Sequence, residues 1–123
     1  MAKKTKKTNT FICYERCSTC KKAMKWLDEH KVDYVVRPIK EENPTGDELR
    51  EWISKSGLPI KRFFNTSGQL YRSMELKDKI PGMTEDEIIA LLATDGMLVK
   101  RPLMIAGYKI LVGFKEAEWE SLL

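Results

Sequence analysis

Cys17 and Cys20 enclose Ser18 and Thr19 in the segment Cys17-Ser18-Thr19-Cys20, a spacing that suits a dithiol–disulfide pair. A cysteine attacks only as its thiolate. At the start of a helix, free backbone N–H groups and the helix dipole stabilise that anion. Three residues further on, the second sulfur falls on the same helix face, at the separation a disulfide needs. Arg16, Lys21 and Lys22 add positive charge beside Cys17, in the same sense. The expected chemistry is exchange: Cys17 attacks a disulfide or another electrophile, and Cys20 resolves the adduct by attacking the Cys17 sulfur. The competing reading makes the two cysteines a structural pair.

Zinc is the sharpest chemical rival, because Cys13, Cys17, Cys20 and His30 make a complete ligand set on paper. His30 lies ten residues beyond Cys20 on the same expected helix. That is about 15 Å along its axis at about 1.5 Å per residue, outside ligand reach. No metal is therefore expected, and His30 reads as a helix-end residue favoured by the dipole. Cys13 reads as a buried core residue, with a backup resolving role as its alternative. Arg101-Pro102 precedes a short apolar run, where a proline can be cis and the backbone can lie near the helix that carries the thiols. Arg101 would then face Cys17, to hold an oxyanion or steady the thiolate; an exposed loop arginine is the alternative.

The elements that must position these residues follow from periodicity and turn chemistry. Phe11 to Tyr14 is a short apolar run, and Cys20, Ala23, Met24, Leu27 and His30 repeat at helical spacing. Val32 to Ile39, rich in β-branched residues, reads as the second strand of a parallel β-α-β unit. Thr45 with Glu48 and Thr84 with Glu87 are capping-box signals, each opening a helix; Gly57 and Pro59 close the first, and Gly96 the second. Residues 44–95 thus read as helical. Leu103 to Ala106 and Lys109 to Val112 are β-type runs joined at Gly107-Tyr108 as a hairpin, and Phe114 or Ala117 with Trp119 and Leu122 suggests a closing helix. The expected order is β-α-β, a helical insert, then β-β-α. Residues 1–10 are expected to form a basic, flexible tail and residues 11–123 one domain, with sheet halves at 11–43 and 96–123 around an insert at 44–95.

Composition narrows the function classes. With 123 residues and 42% apolar content, the chain is the size of one domain that needs no staples. The net charge of +4 comes from Lys3, Lys4, Lys6 and Lys7; without them, 18 basic residues face 18 acidic ones. A near-neutral body argues against direct nucleic-acid binding. No apolar run approaches the roughly 20 residues of a membrane span, and no signal-peptide core follows the lysines. Three cysteines, two closely spaced, fit a reducing compartment, so the cytoplasm is expected. No glycine-rich phosphate cradle or paired carboxylates call for a cofactor.

Four separated motifs occur in order: Cys17-Ser-Thr-Cys20-Lys-Lys-Ala; Phe64-Asn-Thr-Ser-Gly68 with Tyr71-Arg72; Asp95-Gly-Met-Leu-Val-Lys-Arg-Pro102; and Val112-Gly-Phe-Lys-Glu116. Together they resemble the arsenate reductase (ArsC) family of thioredoxin-like proteins, which includes the transcriptional regulator Spx. The resemblance runs from about residue 11 to residue 122. It implies a thioredoxin-type sheet interrupted by a helical insert, with the reactive cysteine at Cys17 and an arginine before a cis-proline at Arg101-Pro102. The family's arsenate reducers hold the oxyanion with three arginines. Here Asn65 stands at the first of those positions, and the region around Gly113 lacks the last. Losing two guanidinium partners weakens oxyanion binding by several kcal/mol if each makes a charge-assisted bond. Cys20 moreover supplies an internal resolving thiol, which the glutaredoxin-dependent reducers typically lack.

Three functions follow from the resemblance. The first is a thiol–disulfide oxidoreductase using Cys17, Cys20 and Arg101, supported by Arg16, Ser18, Thr19, Asn65 and Pro102. Its electrons would come from thioredoxin, glutaredoxin or glutathione. The alternative is an Spx-like regulator that docks on the C-terminal domain of the RNA polymerase α-subunit and uses the same pair as a disulfide switch. The third is glutaredoxin- or thioredoxin-dependent arsenate reduction.

Overall fold

The computed structural model describes residues 9–123, and the four N-terminal lysines of the expected tail lie outside them. Backbone contacts divide the described residues into two units. One runs up to Pro38 and resumes over Arg101–Leu123; the other is Ile39–Lys100.

The first unit holds β1 (Thr10–Cys13), α1 (Ser18–Glu29) and β2 (Val35–Pro38). Strand β1 begins one residue before the expected domain start. Among the described residues, its four positions pair one to one with β2, in parallel from Thr10 with Val35 to Cys13 with Pro38. The second strand is therefore shorter than the expected Val32 to Ile39. Lys31 takes a positive φ of 58° as the chain leaves α1, and the Val32 N–H donates to the Leu27 carbonyl. Val32 and Tyr34 pack on the core before pairing starts.

In the second unit the chain runs through α2 (Gly46–Ser56), α3 (Gln69–Ser73), α4 (Leu76–Lys79) and α5 (Glu85–Leu92), with short 3-10 turns between them. Both capping boxes are formed: Thr45 exchanges hydrogen bonds with Glu48, and Thr84 with Glu87. These satisfy N–H groups that have no intrahelical acceptor. Gly57 closes α2 in the left-handed conformation. Residues 44–95 are not continuously helical, because Phe64 is extended and bridges Val99. Gly96 does not end α5, which stops at Leu92 with Ala93 as its cap. A Cβ at Gly96 would collide with the Ile39 carbonyl, so glycine is present for close approach of two backbones.

Returning to the first unit, β3 (Leu103–Ala106) and β4 (Lys109–Val112) form the hairpin at the positions read from the sequence, followed by α6 (Glu116–Trp119). The sheet order is β2-β1-β3-β4, with β3 antiparallel to both β1 and β4. The fold is mixed α/β, with a four-stranded sheet and six α-helices among the described residues. One core cluster joins Phe11 and Cys13 of β1, Met104 of β3, Cys20, Ala23, Trp26 and Leu27 of α1, and Trp119 of α6. Burying a side chain such as Leu27 contributes about 1.5–3 kcal/mol. The Trp119 indole N–H donates to the buried Gly113 carbonyl at 3.0 Å, which fixes α6 to the end of β4.

Thr45→Ala and Thr84→Ala are each expected to lower the unfolding free energy by about 1 kcal/mol. Gly96→Ala should cost more than either. Urea titrations followed by tryptophan fluorescence measure all three.

Candidate functional site

Cys17 is the N-cap of α1, and the cap is made by its sulfur. Its backbone is extended (φ −90°, ψ 118°), and the Cys20 N–H donates to the Cys17 Sγ at 3.2 Å. The role usually taken by a serine or aspartate oxygen falls here to a thiol. A tight turn sets this position: the Cys17 N–H donates to the Tyr14 carbonyl at 3.0 Å, and only Tyr14, Glu15 and Arg16 separate the strand end from the cap. Cys17 is half-buried, while Cys20 is 2% and Cys13 5% exposed. All three thiols are free.

The buried thiols are held in their protonated form. Desolvation is the main reason that the Cys20 pKa lies far above the ordinary cysteine range, and the neighbouring Cys17 and Cys13 push the same way. The Tyr14 N–H, donating to the Cys20 Sγ at 3.5 Å, opposes the shift without reversing it. Burial, with Cys17 alongside, also raises Cys13.

Cys17, Ser18, Thr19 and Cys20 meet on the first turn of α1, with Ser18, Thr19 and Arg16 exposed and Cys20 turned into the core. The Arg101–Pro102 peptide bond is cis, Pro102 is buried, and the Pro102 carbonyl accepts the Gly113 N–H. The Arg101 guanidinium carbon sits 5.2 Å from the centre of the Tyr14 ring, a cation–π geometry. Arg101 and Cys20 thus share Tyr14 as a neighbour, one through its ring and the other through its backbone. Asn65 belongs to the other unit, where its N–H donates to the Leu98 carbonyl and its carbonyl accepts the Gly68 N–H. His30 caps the far end of α1, its ring 4.2 Å from that of Trp26. Among the described residues, no group of three or more His, Cys, Asp or Glu is arranged to hold a metal ion.

Tyr14 is the residue that sequence reasoning missed. A tyrosine at a strand end has no spacing signature, and both of its roles arise from tertiary packing.

A model of the ArsC family matches residues 13–122. The uncharacterised protein YusI of Bacillus subtilis is 51% identical over 112 residues, covering 91% of this chain and 95% of YusI. The global transcriptional regulator Spx 2 of Bacillus cereus is 25% identical over 107 residues, covering 87% of this chain and 80% of the regulator. Among solved structures, an ArsC-family-related protein from Bacteroides fragilis superposes with a TM-score of 0.93 at 54% identity, covering 94% of this chain and 98% of that one. A protein described as a possible arsenate reductase from Streptococcus mutans superposes with a TM-score of 0.86 at 45% identity, with the same coverages.

The contrast in burial sets an order of reactivity. With limiting iodoacetamide near neutral pH, Cys17 should be alkylated at least about tenfold faster than Cys13 or Cys20, because reactivity follows thiolate character and access. In denaturant the three rates should converge. Peptide mass spectrometry at timed intervals reads both conditions.

Proposed function

The chain belongs to the ArsC family, and from that premise we propose that it is a cytoplasmic thiol–disulfide oxidoreductase with Cys17 as the attacking and Cys20 as the resolving sulfur. The observation that carries this reading is the cap of α1. A half-exposed sulfur accepts a backbone N–H, with a second, buried sulfur one turn inward on the same helix.

The reaction runs as two exchanges and a reset. The Cys17 thiolate attacks one sulfur of a substrate disulfide; a Cys17–substrate bond forms, and the other substrate sulfur leaves as a thiolate and takes up a proton. Cys20 then loses its proton and attacks the Cys17 Sγ, which closes the Cys17–Cys20 disulfide and expels the second substrate thiol. Thioredoxin, glutaredoxin or two molecules of glutathione supply the two electrons that reopen it. Arg101 and Arg16 offer guanidinium groups to an anionic part of the substrate. Ser18 and Thr19 line the exposed turn, and Pro102 fixes the backbone after Arg101.

Two further readings rest on particular relatives. The match to a protein named a global transcriptional regulator supports an Spx-like switch, in which the same pair controls docking on the C-terminal domain of the RNA polymerase α-subunit. The likeness to the Streptococcus mutans protein supports arsenate reduction, with the oxyanion held by Arg101 and fewer guanidinium partners than the family's arsenate reducers have. A pull-down with the polymerase domain that stays empty in both redox states removes the first. No consumption of reduced glutaredoxin or thioredoxin at millimolar arsenate removes the second.

The test of the main reading is reduction of insulin or of a glutathionylated peptide. Cys17→Ser should fall to the uncatalysed background, and Cys20→Ser should accumulate the mixed disulfide. Equal behaviour of wild type and both variants would overturn the assignment. A second check uses pH. Because burial raises the Cys20 pKa, its thiolate fraction, and with it the resolution rate, should climb by about tenfold per pH unit through neutral pH without a plateau near 8.5. Stopped-flow release of the substrate thiol measures it.

A further inference from the structure

The exchange just described leaves Cys13 idle, although Cys13 belongs to the same buried cluster as Cys20, with Cys17 packed against it. We propose that Cys13 is a third redox thiol of the site: it attacks the Cys20 sulfur of the Cys17–Cys20 disulfide, forming a buried Cys13–Cys20 disulfide and releasing Cys17. The proposal rests on the reading of Cys17 and Cys20 as an exchanging pair. One S–S bond forms as another breaks, and the proton of the Cys13 thiol passes to the departing Cys17 sulfur. The oxidation level does not change, so no further oxidant or reductant takes part.

Geometry places the attacking sulfur. In β1, Phe11 and Cys13 alternate with Ile12 and so share the face that packs with Cys20, Ala23, Trp26 and Leu27 of α1. The Tyr14 N–H lies 3.5 Å from the Cys20 Sγ. That nitrogen is the next backbone atom but one after the Cys13 Cα, so standard bond lengths put the Cys13 Cα within about 6 Å of the Cys20 sulfur. The Cys13 side chain lies in the same buried cluster as Cys20, so rotation about its Cα–Cβ bond turns its sulfur toward the Cys20 sulfur, the approach a disulfide requires.

The environment favours the rearranged product. Burial opposes ionisation of both Cys13 and Cys20, so joining these two removes the thiols that gain least from water. A disulfide also presents no S–H group that needs a partner among Phe11, Trp26, Leu27 and Trp119. Cys17 returns to the half-exposed cap, where the Cys20 N–H awaits its sulfur. The outer thiol is thereby restored while the two oxidising equivalents are stored inside the core.

The linkage can be mapped on the unaltered protein. The full chain is oxidised with one equivalent of diamide, held at neutral pH for several hours, quenched in acid, and labelled with N-ethylmaleimide in denaturant at pH 6. Trypsin cuts after Arg16 and Lys21, leaving Cys17 and Cys20 on one peptide and Cys13 on another. The expected major species is the cross-link between the two peptides, with the label on Cys17. A linear peptide holding an internal Cys17–Cys20 disulfide, with the label on Cys13, would overturn the proposal and leave the exchanging pair intact. Three labelled cysteines would overturn both.

Discussion

The first turn of a helix exposes N–H groups that no helical carbonyl can reach, and in α1 one of them is satisfied by the sulfur of Cys17. Much else follows from that contact. The helix starts where the thiol is, so the following residues fall at fixed angles: Ser18 and Thr19 outward, and Cys20, Ala23, Trp26 and Leu27 inward onto β1 and β3. The candidate nucleophile is also a structural group. Its placement comes from the same hydrogen bond that begins the helix, and the apolar cluster beneath keeps the helix from shifting.

How much of this was legible beforehand depended on how local each signal was. The two capping boxes and the β3–β4 hairpin were readable because residues within three or four positions determine them. The limits of β2 were not, because they are set by a different strand: β1 offers four residues, so β2 pairs over four, whatever the β-propensity of Val32 or Tyr34. Gly96 misled for a related reason. A glycine after a helical pattern resembles a helix stop, whereas here it admits the Ile39 carbonyl, more than fifty residues away in the chain. At the candidate site, the cysteine spacing and the Arg101-Pro102 step could be read directly. The shared contacts of Tyr14 with Cys20 and Arg101 could not, since they depend on how β1, α1 and the segment before β3 meet.

The same frame supports proteins described in different terms, one a global transcriptional regulator and another a possible arsenate reductase. A thioredoxin-like sheet with a capped thiol therefore sets a chemistry and leaves the purpose to surrounding groups. In this chain those groups are few and specific. A second thiol stands one turn inward, a third lies on the adjoining strand, and a guanidinium stacks on the tyrosine between them. In the proposed exchange, each bears on where an electron pair in a sulfur–sulfur bond can move.

The turn between Tyr14 and Cys17 carries a different consequence. Strand β1 is held on both sides by β2 and β3, and α1 is held by its buried face, so both ends of this short tether are fixed. The exposed side chain of Glu15 leaves room for changes of residue type. A change of length has nowhere to go: one added residue would carry the sulfur off its N–H, or rotate the helix and lift Cys20 out of the core. Over evolutionary time this stretch should drift in spelling while keeping its number of letters.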